Sequence, residues 1–241
     1  MGLPKITQPE FEITLPVIKK KIKFRPFLVK EEKVLLIGKE GSAADQVNAM
    51  KNLLQDVVLS PKNFNAGDLT VTDLEYLFMH LRGKSVDNIV KLRYKDTEDE
   101  QVYDFEVDIN DVQAKFTENR SYSIPVGDLT LELKDPTMDI LQEAGVSIDG
   151  VEQLGDDDTS NLDAVFIMLT KCLIKVYDSE QVYDDFTEQE ALTFLKSIDI
   201  NSFKKVQEFF DTAPKLEHII KYKNNLGNER EVVLRGLSDF F

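Results

Sequence analysis

Two histidines, His80 and His218, and one cysteine, Cys172, are the only residues of their kinds in the 241-residue chain. A zinc site or a Cys–His nucleophile would have to be built from them. Neither histidine stands at a ligand-like spacing from Cys172. Cys172 sits among Leu169, Leu173 and Ile174 in a helical run, which reads as a core thiol. No G-x-S-x-G elbow presents a serine, and no G-x-x-x-x-G-K-[ST] or G-x-G-x-x-G loop could cradle a phosphate. Asp156, Asp157 and Asp158 could offer oxygens to a hard cation, but the glycine and distal glutamate of an EF-hand are absent, so a solvated loop is the plainer reading. Asp104, Glu106 and Asp108 alternate with Tyr103, Phe105 and Val107, as on the solvent face of a strand rather than in a glycosidase pair. The expectation is a chain without catalytic residues, metal or cofactor, whose chemistry is binding.

Two features suit binding. Lys19, Lys20 and Lys21, with Lys23 and Arg25, form the one basic cluster. They read either as strand lysines that block unwanted pairing or as a dock for an acidic protein surface. Phe240 and Phe241 are two large rings that must tuck into the chain's own core or insert into a partner, because burying each is worth about 1.5–3 kcal/mol.

Charge narrows the partner. The formal net charge is −15, which repels phosphate and argues against nucleic acid. It is unevenly spread: residues 1–33 hold eight Lys/Arg against four Asp/Glu, and residues 96–190 hold five against twenty-six. The basic end could attract the acidic region of another copy or of another protein. No apolar stretch approaches the ~20 residues a bilayer needs. With one cysteine there is no internal disulfide, in keeping with a reducing compartment. Hydrophobic residues, at 42%, suffice for a sizeable core.

The elements follow from periodicity. Residues 11–29 alternate as strands interrupted by Pro16 and Pro26. Residues 30–37 read as a short helix. A second helix opens at Ser42 or Asp45 and carries Val47, Met50, Leu53, Leu54, Val57 and Val58 on one face. Thr70 caps a third, with Leu74, Leu77, Phe78 and Leu81 at helical spacing and Gly83 at its end. Residues 86–94 and 101–109 form a hairpin across an acidic turn, and 121–133 one more strand pair or one broken strand. Helices are expected at 136–144, opened by Pro136, and at 160–177, 187–198 and 201–211. Thr187 and Glu190 make a capping box, and Asn201 or Ser202 caps the last helix. Residues 215–222 and 230–237 close a hairpin. The fold class expected is α+β: N-terminal strands and a helical pair, a central antiparallel sheet, a helical segment and a C-terminal β-hairpin. The expected division lies between residues 1–110 and 111–241, with a single domain as the alternative.

Two stretches resemble the T4-type phage tail baseplate hub family. Phe24-Arg25-Pro26-Phe27, followed by Val29-Lys30-Glu31-Glu32-Lys33-Val34-Leu35-Leu36, is similar to its "frPf-vkEEK-LL" signature. Asp73-Leu74-Glu75-Tyr76-Leu77-Phe78, with Leu81-Arg82-Gly83-Lys84-Ser85-Val86, resembles its "D-eylf-lRaKSvg" segment; Gly83 stands for an Ala, and Asp87 where Gly is common. The ending, Leu226 to Glu229 and Leu234 to Phe241, looks like the family's C-terminal hairpin. The middle, roughly 110–210, carries no such signature.

The resemblance implies a structural component of the baseplate hub of a contractile-tailed phage, in the virion tail and in the host cytoplasm during assembly. Its partners would be other hub and tail proteins, with a homo-oligomer left open, and neither nucleic acid nor membrane. It transfers no active site. Glu31 with Lys84, or Glu32 with Arg82, could pair between the two motifs as architecture. The rivals are an assembly factor that leaves before the virion is complete, a cell-wall hydrolase of the tail, and an acidic mimic of nucleic acid.

Overall fold

A computed structural model describes residues 6–32, 43–145 and 162–240. In chain order the elements are β1 (Phe11–Thr14), β2 (Lys21–Phe24), α1 (Ala43–Val57), β3 (Val58–Ser60), α2 (Val71–Ser85), β4 (Ile89–Lys95), β5 (Val102–Asp108), β6 (Gln113–Lys115), β7 (Ser123–Val126), β8 (Leu129–Leu133), α3 (Met138–Ala144), α4 (Leu162–Cys172), β9 (Leu173–Tyr177), β10 (Val182–Tyr183), α5 (Glu188–Lys196), α6 (Ile200–Asp211), β11 (Lys215–Lys223) and β12 (Glu229–Arg235). Every pairing among these strands is antiparallel, and the fold is α+β. The described residues divide into two compact units, one within 1–66, 72–115 and 215–241, the other within 67–71 and 116–214.

In the first unit, β1-β2-β3 form one sheet, β12-β11-β6 a second, and β4-β5 a hairpin. Val90, Val107, Ile109 and Val112 pack with Met79 of α2 and with Leu216 and Leu234 of the closing hairpin in one apolar cluster. The two hairpins are also laced together through their turns. The Tyr222 hydroxyl donates to Asp96, a fully buried carboxylate that also lies 3.4 Å from Arg230. Asn224 and Asn228 donate to Glu98 at 2.8 and 2.6 Å, and the Asn225 amide to Asp99 at 3.0 Å. The acidic turn is therefore a receptor for the asparagine-rich turn as well as a connection. The Tyr222 hydrogen bond holds the Asp96 carboxyl below its usual range, and burial pushes the Tyr222 phenol up to about 12. Outside this lock, β4 and β5 carry exposed ion pairs at Lys91–Glu106 and Arg93–Asp104, of the kind that contributes little.

In the second unit the sheet runs β10-β9-β8-β7. Ile124, Leu131 and Val176 are buried and share one cross-strand row. The helices start where short polar side chains meet free N–H groups. Thr187 and Glu190 make the expected capping box on α5. Thr137 caps α3, so Pro136 stands before the helix rather than at its first position, and Gly145 closes it with a φ of 71°, a conformation that suits glycine. Asp199 caps α6 in place of Asn201 or Ser202, because its carboxylate accepts both of their amides.

Other boundaries shift too: Val58, expected on the helical face of α1, opens β3 instead. The run read as one helix over 160–177 is α4 followed by β9: Leu173 to Tyr177 switch to strand pairing, with Val176 opposite Leu131 and Tyr177 opposite Thr130. Helix α2 passes Gly83 and ends at Ser85; a Cβ on Gly83 would come within 2.9 Å of the Asn88 side chain, so this glycine permits close approach rather than ending the helix.

Arg120 centres the second unit. Its guanidinium pairs with Asp135 at 2.6 Å, donates to the Phe209 carbonyl at 3.1 and 3.3 Å, and lies 4.1 Å from the Phe209 ring centroid. Tyr122 also donates to Asp135, at 2.8 Å. Arg120→Met leaves that largely buried carboxylate without its cation, and the cost expected is about 3 kcal/mol, read as a lower urea midpoint. An unchanged midpoint would show that Arg120 is replaceable.

Candidate functional site

The two motif stretches meet along α2. Asp73, near the start of this helix, is fully buried, and its carboxylate accepts the amides of Val17 at 2.8 Å and Ile18 at 3.1 Å. Those amides belong to the turn between β1 and β2. About 18 Å along the helix, the Ser85 hydroxyl accepts the Phe27 amide at 3.0 Å, and Lys84 Nζ lies 5.7 Å from the Phe11 ring centroid. The β1–β2 hairpin thus runs along α2 and is held at both ends.

Arg25 and Glu31 build the rest. The Arg25 guanidinium donates twice to Glu31, both bonds at 2.9 Å, and to the carbonyls of Pro26 at 3.0 Å and Asp56 at 3.2 Å. Glu31 also accepts the Leu28 amide at 2.7 Å. One fork therefore joins the end of β2, the loop after it, the helical residues 29–32 and the last turn of α1. A cation at a helix C-terminus suits the dipole there. Glu31 thus takes Arg25 rather than Lys84 as its close partner. The fork holds the Glu31 carboxyl below its usual range and the Arg25 guanidinium above its own.

Glu75, two residues after Asp73 on α2, serves the other end of the chain. It is buried and accepts the Leu237 amide at 3.2 Å. Gly236, just before Leu237, has a φ of 59°, and a Cβ there would sit 3.1 Å from the Glu75 carboxylate. Further on, Phe240 is only 1% exposed and belongs to the cluster around Met79, Val90 and Leu216. Of the two expectations for Phe240, the ring is tucked and not presented to a partner, because the turn at Gly236 aims the following residues back onto the core. Phe241, Lys33 and the acidic run 156–158 lie outside the described residues.

The basic cluster is spread over one hairpin. Lys19 and Lys20 are exposed in the turn, and Lys19 has a φ of 56°. Lys21 and Lys23 stand on the outer face of β2 and reach Glu12 at 3.3 Å and Glu10 at 3.2 Å. Arg25 belongs to the fork. Arg82 is half-buried, and that burial lowers its pKa, while Glu32 is exposed.

Burial pushes the Cys172 thiol up to about 12 and His80, packed against Tyr76, down to about 4. Among the described residues no group of three or more His, Cys, Asp or Glu could hold a metal ion. The motif stretches leave two apolar side chains outside: Val29 is 84% exposed and Val86 62% exposed, two residues and one residue from the Phe27–Ser85 hydrogen bond. Lys30, Glu32 and Asp87 flank them in sequence and are exposed. An apolar centre with a charged rim is the ordinary anatomy of a protein–protein contact. Sequence reasoning misses Asp73 and Glu75 as anchors, since a carboxylate early in a helix reads as a dipole partner.

A family model described as T4 bacteriophage base plate protein matches residues 8–241. No curated protein and no solved structure matches the chain.

The anchors can be tested singly. Phe240→Ala opens a cavity in the first unit and costs about 3–5 kcal/mol, measured by denaturant unfolding; a loss below about 1 kcal/mol would mean the ring is not core. Glu31 carries a pH signature. A carboxylate whose folded pKa lies below its unfolded value, about 4.3, contributes stability that is complete above that value and lost as pH falls through the folded pKa. Glu31→Gln is therefore expected to destabilise the protein at neutral pH, with the gap to wild type closing below about pH 4. A gap that stays constant with pH would contradict the ion pair.

Proposed function

The chain belongs to the T4 bacteriophage base plate protein family, and on that premise we propose that it is a structural component of the baseplate hub of a contractile tail, working by protein–protein contact during hub assembly. Membership makes it a phage baseplate protein of the virion tail, in contact with other tail proteins. The hub is the finer reading, and its support is the resemblance of residues 24–36 and 73–86 to hub-family signatures. The observation that carries the binding mechanism is the division of labour in those stretches. Their charged residues Arg25, Glu31, Asp73 and Glu75 turn inward to fix backbone, while Val29 and Val86 remain in water. Exposed apolar side chains over a rigid support suit a partner surface.

A tagged chain is expected to capture hub proteins from infected cells, and Val29→Asp with Val86→Asp to lower that capture at least about tenfold, the scale of losing two apolar contacts, with the melting temperature unchanged. Capture undiminished by both changes would remove this surface from the reading. Mass spectrometry of purified virions separates a resident subunit from an assembly factor: copies in the particle support the first, and their absence the second.

A further inference from the structure

The β1–β2 turn and the β10 edge have matching make-up and opposite charge. In the turn, Val17 and Ile18 are half-buried and stand beside exposed Lys19, Lys20 and Lys21. Over residues 10–23 there are four lysines against Glu10 and Glu12, while Asp73 beneath the turn is buried against backbone amides. In the other unit β10 is the outer strand of its sheet, and Val182 and Tyr183 are 54% and 44% exposed. Residues 176–195 hold Asp178, Glu180, Asp184, Asp185, Glu188 and Glu190 and no Lys or Arg. Asp178 is used in its own turn, Glu190 in the α5 cap and Glu188 on Lys171, and Asp184 interacts with Lys175 of β9, so Glu180 and Asp185 stand with Asp184 around the apolar pair.

We propose that the chain binds a second copy of itself head to tail, with the lysine-bearing β1–β2 turn of one copy docking on the acidic β10 edge of the next. Charge complementarity selects this occupant: each copy carries both halves, and the hairpin presents the run Lys19-Lys20-Lys21 in a chain of net charge −15. The contact is heterologous, so it builds a ring if the rotation closes and an open string if it does not. The inference goes beyond contact with other baseplate proteins and does not depend on it.

Sedimentation velocity of the full chain tests it. The sedimentation coefficient is expected to rise with protein concentration at about 50 mM salt and to return to that of a monomer near about 500 mM, where the screening length falls to a few ångströms. Lys20→Glu with Lys21→Glu, or Asp184→Lys with Asp185→Lys, places like charges face to face, and each double variant alone is expected to stay monomeric. An equimolar mixture of the two restores association, since opposite charges again meet at the contact between the two variants. Circular dichroism and melting temperature confirm that each variant is folded, and Lys20→Gln with Asp184→Asn gives a milder pair if either is not. A wild-type chain that stays monomeric at low salt, association undiminished in either variant, or a mixture that does not recover would each overturn the proposal. A chain that fails here yet still captures tail proteins would leave the function proposed above intact.

Discussion

A carboxylate removed from water must be met by N–H donors or a cation, or the fold carries an uncompensated charge. Helix α2 buries two such groups within three residues, Asp73 and Glu75, and meets both with backbone amides from distant parts of the chain. Asp73 takes the turn of the first hairpin, and Glu75 the segment that follows the last strand. This constraint makes α2 the member against which both the first hairpin and the closing segment are set. Arg25 and Glu31 repeat the device at the far end of the first hairpin, where one fork fastens strand, loop and helix.

These satisfied charges show what Arg25, Glu31, Asp73 and Glu75 are used for: each fixes backbone or a neighbouring segment in place. A reactive group needs an open approach and a pKa set for its task. Glu31 is held ionised by Arg25, Cys172 is held protonated by burial, and His80 is held neutral. Each is committed to one state at neutral pH. Rigid placement of the surrounding backbone is what the arrangement supplies, and the contact role proposed above would make use of it.

Much of this is legible in the sequence where a local rule and the final packing agree. The hairpins β4–β5 and β11–β12 alternate cleanly around polar turns, and the α5 capping box is spelled out by Thr187 and Glu190. The boundary at Cys172 is not legible, because the apolar residues of α4 and β9 run on without a breaker and only the pairing with β8 decides the period. The role of Phe240 stays open for a similar reason: its type demands burial but does not say where. The anchors Asp73, Glu75 and Arg120 are hidden, since their partners include amides and carbonyls, which nearly every residue has.

The lock between the acidic turn 96–99 and the asparagine-rich turn 224–228 joins segments more than a hundred residues apart in sequence. On the ribosome, β4 and β5 emerge long before the strands that complete their cluster. Between the two events comes nearly all of the second unit, whose Arg120 and Phe209 lie closer together in the chain than the two turns do. The second unit can therefore close first, while the first waits with its hydrophobic face open until residues 215–240 arrive. Completion of the first unit thus rests on residues 215–240, the last of its segments to be synthesised.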